Sequence, residues 1–126
     1  MITCAMCDDE LPFAEQLRSL VMAYAKKKRV ELQAETFASA EELLEEIENG
    51  AGFEILFLDI EMRKMDGIEL GKKLRERSYQ TLIIYVSGYD QYMRQLFEAE
   101  PFRFLSKPLK QEELENVLDK AFERIS

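Results

Sequence analysis

Three aspartates follow short apolar runs, at positions where their carboxylates could act together. Asp8 and Asp9 follow the run 2–7, and Asp59 follows four large apolar residues at 55–58. Carboxylates that share one crevice repel each other, so a hard cation is expected among them. Oxygen ligands suit Mg²⁺, and an aspartate beside Mg²⁺ can be the nucleophile in phosphoryl transfer. A solitary Asp59 would more simply cap the next segment. The prediction of a Mg²⁺ site for phosphoryl transfer therefore requires the three carboxylates to lie close together.

A hydroxyl and a cation follow two later apolar runs. Ser87 comes directly after the run 82–86, and Lys107 comes two positions after the run 102–105. Both side chains can bind phosphoryl oxygens. The chain has no histidine, which excludes histidine-based triads and phosphohistidine chemistry within it and removes the usual ligand of most zinc sites.

Two kinds of apolar pattern, one typical of strands and one typical of helices, alternate along the chain. Continuous or alternating apolar runs predict strands, and apolar residues three or four apart predict the amphipathic helices between them. Strands are expected at 2–7, 30–37, 55–58, 82–86 and 102–105. Helices are expected from Pro12 to the basic run 26–29, from the Ser39 cap to Asn49, and at 68–77, 89–99 and 111–125.

This alternation predicts an α/β fold, (βα)5, in which a doubly wound parallel sheet carries helices on both faces. Flavodoxin-like sheets of this kind commonly take the strand order 2-1-3-4-5, with the switch point between the first and third strands. Ligands bind outside the carboxyl ends of the strands at such a point. We therefore expect Asp8, Asp9 and Asp59 to converge on one crevice.

Size and charge limit the classes of function. The 126 residues contain no internal linker or repeat, so one domain covering 1–126 is expected. The formal net charge of −8 opposes direct contact with nucleic acid or anionic lipid. No apolar run approaches the length of a membrane span, and the start lacks the charge of a signal peptide. A cytoplasmic location is therefore expected.

The two cysteines have the spacing C-x-x-C, which could indicate a redox or metal pair. Cys4 and Cys7 fall within the predicted first strand, where residues three apart point to opposite faces. No second cysteine pair exists to complete a zinc site. Buried thiols that pack as small apolar side chains are the expected outcome.

Taken in chain order, these motifs resemble the receiver domain of bacterial two-component response regulators, over essentially the whole chain. The motifs are Asp8-Asp9, 58–62 with 65–70, Ser87, and Lys107-Pro108. The resemblance implies a phosphoacceptor signalling domain that is not otherwise an enzyme, because it catalyses only its own phosphorylation and dephosphorylation.

The resemblance also implies the chemistry of the site. Asp59 would accept a phosphoryl group from a sensor histidine kinase. Mg²⁺ would be held by Asp9, Asp59 and the backbone carbonyl of Glu61, with Asp8 acting through water. The family usually has proline where this chain has Arg63, so the fixed φ of proline is missing from this loop.

Signal output is implied in the same way. Ser87 would be the switch hydroxyl, Lys107 the family's conserved lysine, and Phe104 the switch aromatic, although an isolated phenylalanine in a strand is commonly a core residue. The output would appear on the face formed by the predicted fourth helix, fifth strand and fifth helix. A homodimer across that face is the expected consequence.

The segments 89–92 and 104–109, with Phe97, are similar to receivers attached to LytTR-type DNA-binding domains. This similarity implies an output domain that binds DNA while this chain itself does not. The chain is expected to be a receiver excised from a longer protein, and a stand-alone receiver is the alternative.

Two other functions fit parts of the pattern. Asp59-Ile60-Glu61 loosely matches the D-x-D motif of haloacid-dehalogenase-like phosphohydrolases, but glutamate stands where the second aspartate belongs. Such an enzyme would turn over a phosphomonoester steadily. A purely structural or interaction domain would instead leave the acids inert towards acetyl phosphate.

Overall fold

The computed structural model of the chain describes residues 1–88 and 98–126. Its parallel sheet has the order β2-β1-β3-β4-β5, which confirms the predicted topology. The strands are β1 (Ile2–Cys7), β2 (Leu32–Phe37), β3 (Ile55–Leu58), β4 (Leu82–Ser87) and β5 (Arg103–Ser106). The helices are α1 (Leu11–Lys27), α2 (Ala40–Glu48), α3 (Gly67–Glu76) and α4 (Gln111–Ile125). The helix expected at 89–99 lies outside the described residues, apart from its last two positions.

Within the described residues, two helices cover each face of the sheet. Apolar residues of α1 and α4 pack on one face, and those of α2 and α3 pack on the other. The four residues of β3 are all buried, at 1% exposure or less, as expected for a central strand of a parallel sheet. Cys4 and Cys7 are buried on opposite faces, which agrees with their expected role as packing residues.

β2 begins two residues later than predicted because the turn that ends α1 extends to Val30. Arg29 adopts the left-handed conformation, with φ 59°. The amide of Val30 then donates to the carbonyl of Ala25 at 2.8 Å. This bond closes the end of the helix in the manner of a Schellman motif, so Val30 belongs to the turn that follows α1 and does not start the strand.

Side-chain caps set the first residues of α2 and α3. The hydroxyl of Ser39 accepts a hydrogen bond from the amide of Glu42 at 3.2 Å, as predicted. The Asp66 carboxylate accepts one from the amide of Glu69 at 2.8 Å, so α3 begins at Gly67, one residue before the predicted start. A Cβ atom on Gly67 would collide with the backbone carbonyl of Asp59. Glycine therefore lets α3 lie directly against the end of β3.

No helix within residues 1–88 and 98–126 combines the length and the apolar character needed to cross a bilayer.

Candidate functional site

The structure brings Asp8, Asp9 and Asp59 together at the carboxyl ends of β1 and β3. These strands are neighbours, and their register pairs Cys7 with Leu58. The amide of Asp59 donates to the carbonyl of Cys7 at 3.0 Å, which extends the pairing past the last strand residues. Carboxylate oxygens of the three aspartates lie within 4.8 Å of one another. We call these three residues the acid cluster.

Burial and like charge act together on Asp59. Its exposed fraction is 7%, and that of Asp8 is 4%, whereas Asp9 is exposed. Burial, followed by the negative charge of Asp8, raises the pKa of Asp59 to about 7, although the nearby Lys107 opposes this change and Asp9 adds to it. The Asp59 carboxylate is therefore costly to keep charged without a further cation.

Lys107 supplies a positive charge on the inner side of the acid cluster. Its Nζ atom lies 2.9 Å from Oδ2 of Asp8 and 3.7 Å from Oδ2 of Asp59. Burial alone would lower the pKa of Lys107, but the hydrogen bond to Asp8 and the charge of Asp59 outweigh it and raise that pKa. The ammonium also lies over the ring of Phe13, 4.3 Å from its centroid. Phe13 lies in the first turn of α1, and its helical spacing in the sequence carries no sign of this contact.

Asp8 is also held in place by a backbone amide, so that both of its carboxylate oxygens have partners. Its Oδ1 atom accepts a hydrogen bond from the amide of Glu10 at 2.8 Å, while its Oδ2 atom faces Lys107. The amide of Lys107 donates to the carbonyl of Ser87 at 3.1 Å. The ends of β1, β4 and β5 therefore meet around Asp8 and Lys107.

The expected switch residues, Ser87 and Phe104, lie on β4 and β5. Ser87 is fully buried at the end of β4 and is in register with Ser106. Phe104 is half-buried, is in register with Tyr85, and packs against the core that α2 and α3 cover.

The loop between β3 and α3 carries Glu61, whose side chain is exposed. The amide of Gly67 donates to the carbonyl of Ile60 at 2.9 Å and closes the base of the loop. The carboxylate of Glu41, in the first turn of α2, accepts a hydrogen bond from the amide of Met65 at 2.9 Å. Sequence spacing gave no indication of this contact, because the two residues belong to different elements.

The donor set of the acid cluster fits a hard divalent cation. All the candidate side-chain ligands are carboxylates, and Asp9 at the exposed rim leaves room for water. Mg²⁺ commonly takes one or two carboxylates and keeps several waters. Among the described residues near the cluster, the three acids face the one ammonium of Lys107. A bound cation would offset the burial and the like charge that raise the pKa of Asp59.

The family described as "Response regulator receiver domain" matches residues 5–119 of the chain. One relative, a response regulatory protein of Yersinia pestis, is 32% identical over 94% of this chain and 47% of its own length. The sensory transduction protein LytT of Bacillus subtilis is 24% identical over 95% of this chain and 48% of its own length. The chain thus spans about half the length of these curated relatives.

Solved structures agree on the fold. The response regulatory domain of protein mrkE from Klebsiella pneumoniae matches with a TM-score of 0.86 and 18% identity, over 98% of this chain and 97% of that one. LytT- and LytR-type regulators among the relatives agree with the expected subgroup. Because the family match covers nearly the whole chain, the protein belongs to the response regulator receiver domain family of two-component signalling.

Proposed function

We propose that residues 1–126 form one receiver domain, in which Asp59 accepts a phosphoryl group from a sensor histidine kinase. The observation that carries this proposal is the acid cluster, in which a nearly buried Asp59 lies beside Asp8, Asp9 and the ammonium of Lys107. The family match favours this function over the phosphohydrolase alternative.

The transfer replaces one bond to phosphorus with another. An Oδ atom of Asp59 attacks the phosphorus of the phosphohistidine, and the P–N bond of the donor breaks. The bonding electrons leave with the imidazole nitrogen, which can then take a proton from water. Lys107, whose Nζ lies 3.7 Å from Asp59, would bind a phosphoryl oxygen and offset the added charge.

Asp9, Asp59 and the carbonyl of Glu61 would hold Mg²⁺, with Asp8 contributing through water. Bound there, Mg²⁺ would neutralise charge on the phosphoryl oxygens during in-line attack. The two hydrogen bonds of Asp8, to the Glu10 amide and to Lys107, support an indirect role, because they already engage both of its oxygens.

The domain would act as a switch and would catalyse only its own phosphorylation and dephosphorylation. We place the native protein in the cytoplasm, with a LytTR-type output domain that binds DNA. The lengths of the LytT relatives, about twice that of this chain, support a further domain, and the name of the LytR relative, a transcriptional regulatory protein, supports an output in transcription. The receiver itself would not bind DNA, because its net charge of −8 repels the phosphate backbone.

The test is intact-mass measurement after incubation with acetyl phosphate and Mg²⁺. The wild type should gain one phosphoryl group, and Asp59→Asn should gain none. Glu54→Gln is the matched control, because Glu54 directly precedes β3 at the opposite end of the strand. This control should be labelled like the wild type, and full labelling of Asp59→Asn would exclude Asp59 as the acceptor.

A further inference from the structure

The loop between β3 and α3, residues 60–66, has a conformation that needs support. Lys64 adopts the left-handed region with φ 60°, which a residue with a side chain takes at some cost. The base of the loop is closed by the bond from the Gly67 amide to the Ile60 carbonyl, and Asp66 caps α3. Neither contact involves the residues in between, 61–65, which include Glu61 and Arg63.

Glu41 reaches this stretch from another element. Its Oε2 atom accepts the hydrogen bond from the Met65 amide at 2.9 Å, across 24 positions of sequence. That bond, its own backbone amide and the charge of Lys64 lower the pKa of Glu41. The accepting group is therefore a carboxylate at neutral pH, and a charged acceptor makes a stronger hydrogen bond than a neutral one.

The position of Glu41 is close to the acid cluster. Glu41, Arg63 and Lys64 line one surface groove of about 500 Å³ together with Asp9. α2 itself is anchored at this end by the Ser39 cap. The first turn of α2 thus holds the Glu41 carboxylate against the loop that follows Asp59.

We infer that Glu41 is a positioning residue, whose carboxylate holds the loop that carries the Glu61 carbonyl and thereby sets the affinity of the acid cluster for Mg²⁺. This inference rests on the proposed function. Proline at position 63 would restrict the loop through its fixed φ. This chain has Arg63 there, so the restriction comes instead from a contact with α2. Ordering the loop before the cation binds removes an entropic cost from the binding step.

The experiment measures Mg²⁺ affinity by NMR titration of wild type, Glu41→Ala and Glu41→Gln. Glu41→Ala should weaken binding by about tenfold, the low end of what loss of an outer-shell contact causes. Glu41→Gln keeps an acceptor oxygen, so it should lose only about twofold. Glu42→Ala is the matched control, because Glu42 is an exposed glutamate in the same first turn of α2. This control should bind Mg²⁺ like the wild type.

Hydrogen exchange of the Met65 amide in metal-free protein provides a second readout. Exchange should speed up in Glu41→Ala and stay unchanged in Glu42→Ala. The amide of Met6, in the buried β1 strand, should exchange at the wild-type rate in both variants, which separates loosening of the loop from loss of global stability.

Wild-type Mg²⁺ affinity in Glu41→Ala would overturn the inference, as would an equal loss in Glu42→Ala. If the wild type is labelled on Asp59 and Glu41→Ala still binds Mg²⁺ equally well, only the inference fails. If the wild type neither binds Mg²⁺ nor accepts phosphate, the proposed function fails and the inference with it.

Discussion

At the scale of single residues, the three acids of the cluster differ in how much their negative charge destabilises the metal-free protein. Asp59 is nearly buried beside like charge, and its raised pKa reflects that environment. Asp9 is exposed and well solvated. Asp8 is buried, but it is paired with Lys107 and the Glu10 amide. Neutralising each acid should therefore have a different effect on stability.

We predict that Asp59→Asn raises the free energy of unfolding of the metal-free domain by about 1–2 kcal/mol, since the buried repulsion is removed. Asp9→Asn should raise it by less, about 0.5 kcal/mol, because exposed charges interact weakly. Asp8→Asn should lower it, because Lys107 loses its closest anion. Urea denaturation in the presence of a chelator measures all three.

Addition of Mg²⁺ is the control for this series. It should stabilise the wild type by mass action but leave Asp59→Asn nearly unchanged, so the two unfolding curves should approach each other. A chelated Asp59→Asn protein that unfolds more easily than the wild type would contradict the account of Asp59 as a repelled carboxylate.

At the scale of elements, Arg75 joins α3 to the chain on either side of β4. Its guanidinium donates to the carbonyls of Tyr79 and Thr81, before β4, at 3.1 and 3.0 Å. It also donates to those of Ala99 and Glu100, before β5, at 2.8 and 2.9 Å. One side chain thus satisfies four backbone acceptors. The start of β5 depends on a residue of α3.

We predict that Arg75→Lys destabilises the domain by about 2 kcal/mol, because an ammonium cannot reproduce the planar fork that meets these carbonyls. Lys73→Met is the matched control, since Lys73 is an exposed cation in the same last turn of α3. Its effect should stay within about 0.5 kcal/mol. Equal midpoints of thermal unfolding for Arg75→Lys and the wild type would contradict this role.

The elements themselves could be predicted because apolar periodicity is a local property. β1, β3 and α4 have the predicted bounds, and the strand order follows from the alternation of strands and helices. The convergence of the acids follows from that order. Phe13, Glu41 and Arg75 could not be identified in the same way. Their partners lie in other elements, so their contacts depend on how the elements pack.

At the scale of the whole molecule, the described structure connects the acid cluster to the edge of the sheet. β4 lies between β3 and β5. Its buried last residue, Ser87, lies at the same carboxyl end of the sheet as Asp59. Phe104 lies on the outer strand, in register with Tyr85 and two positions before Ser106, the partner of Ser87. A change at Ser87 can therefore reach Phe104 through one pair of hydrogen-bonded strands.

We predict that activation at Asp59 is transmitted through Ser87 and Phe104 to the face that includes β5 and α4. A phosphoryl group adds charge and acceptor oxygens, and the Ser87 hydroxyl can donate to one of them. Movement of Ser87 would change the space available to the half-buried ring of Phe104, and a packed ring tends to move between discrete positions. Beryllofluoride, which mimics the acyl phosphate, should shift amide signals in β5 and α4 of the wild type and promote dimerisation in sedimentation.

Ser87→Ala should still bind beryllofluoride at Asp59 but lose the distal shifts and the dimer, since no hydroxyl remains at that position. Ser106→Ala is the matched control, because Ser106 is the in-register neighbour of Ser87 and is exposed. Its distal shifts should equal those of the wild type. If Ser87→Ala dimerises and shifts like the wild type while Asp59 is occupied, the signal leaves the site by another route, and the contacts of Lys107 with Asp8 and with the Ser87 carbonyl become the alternative path.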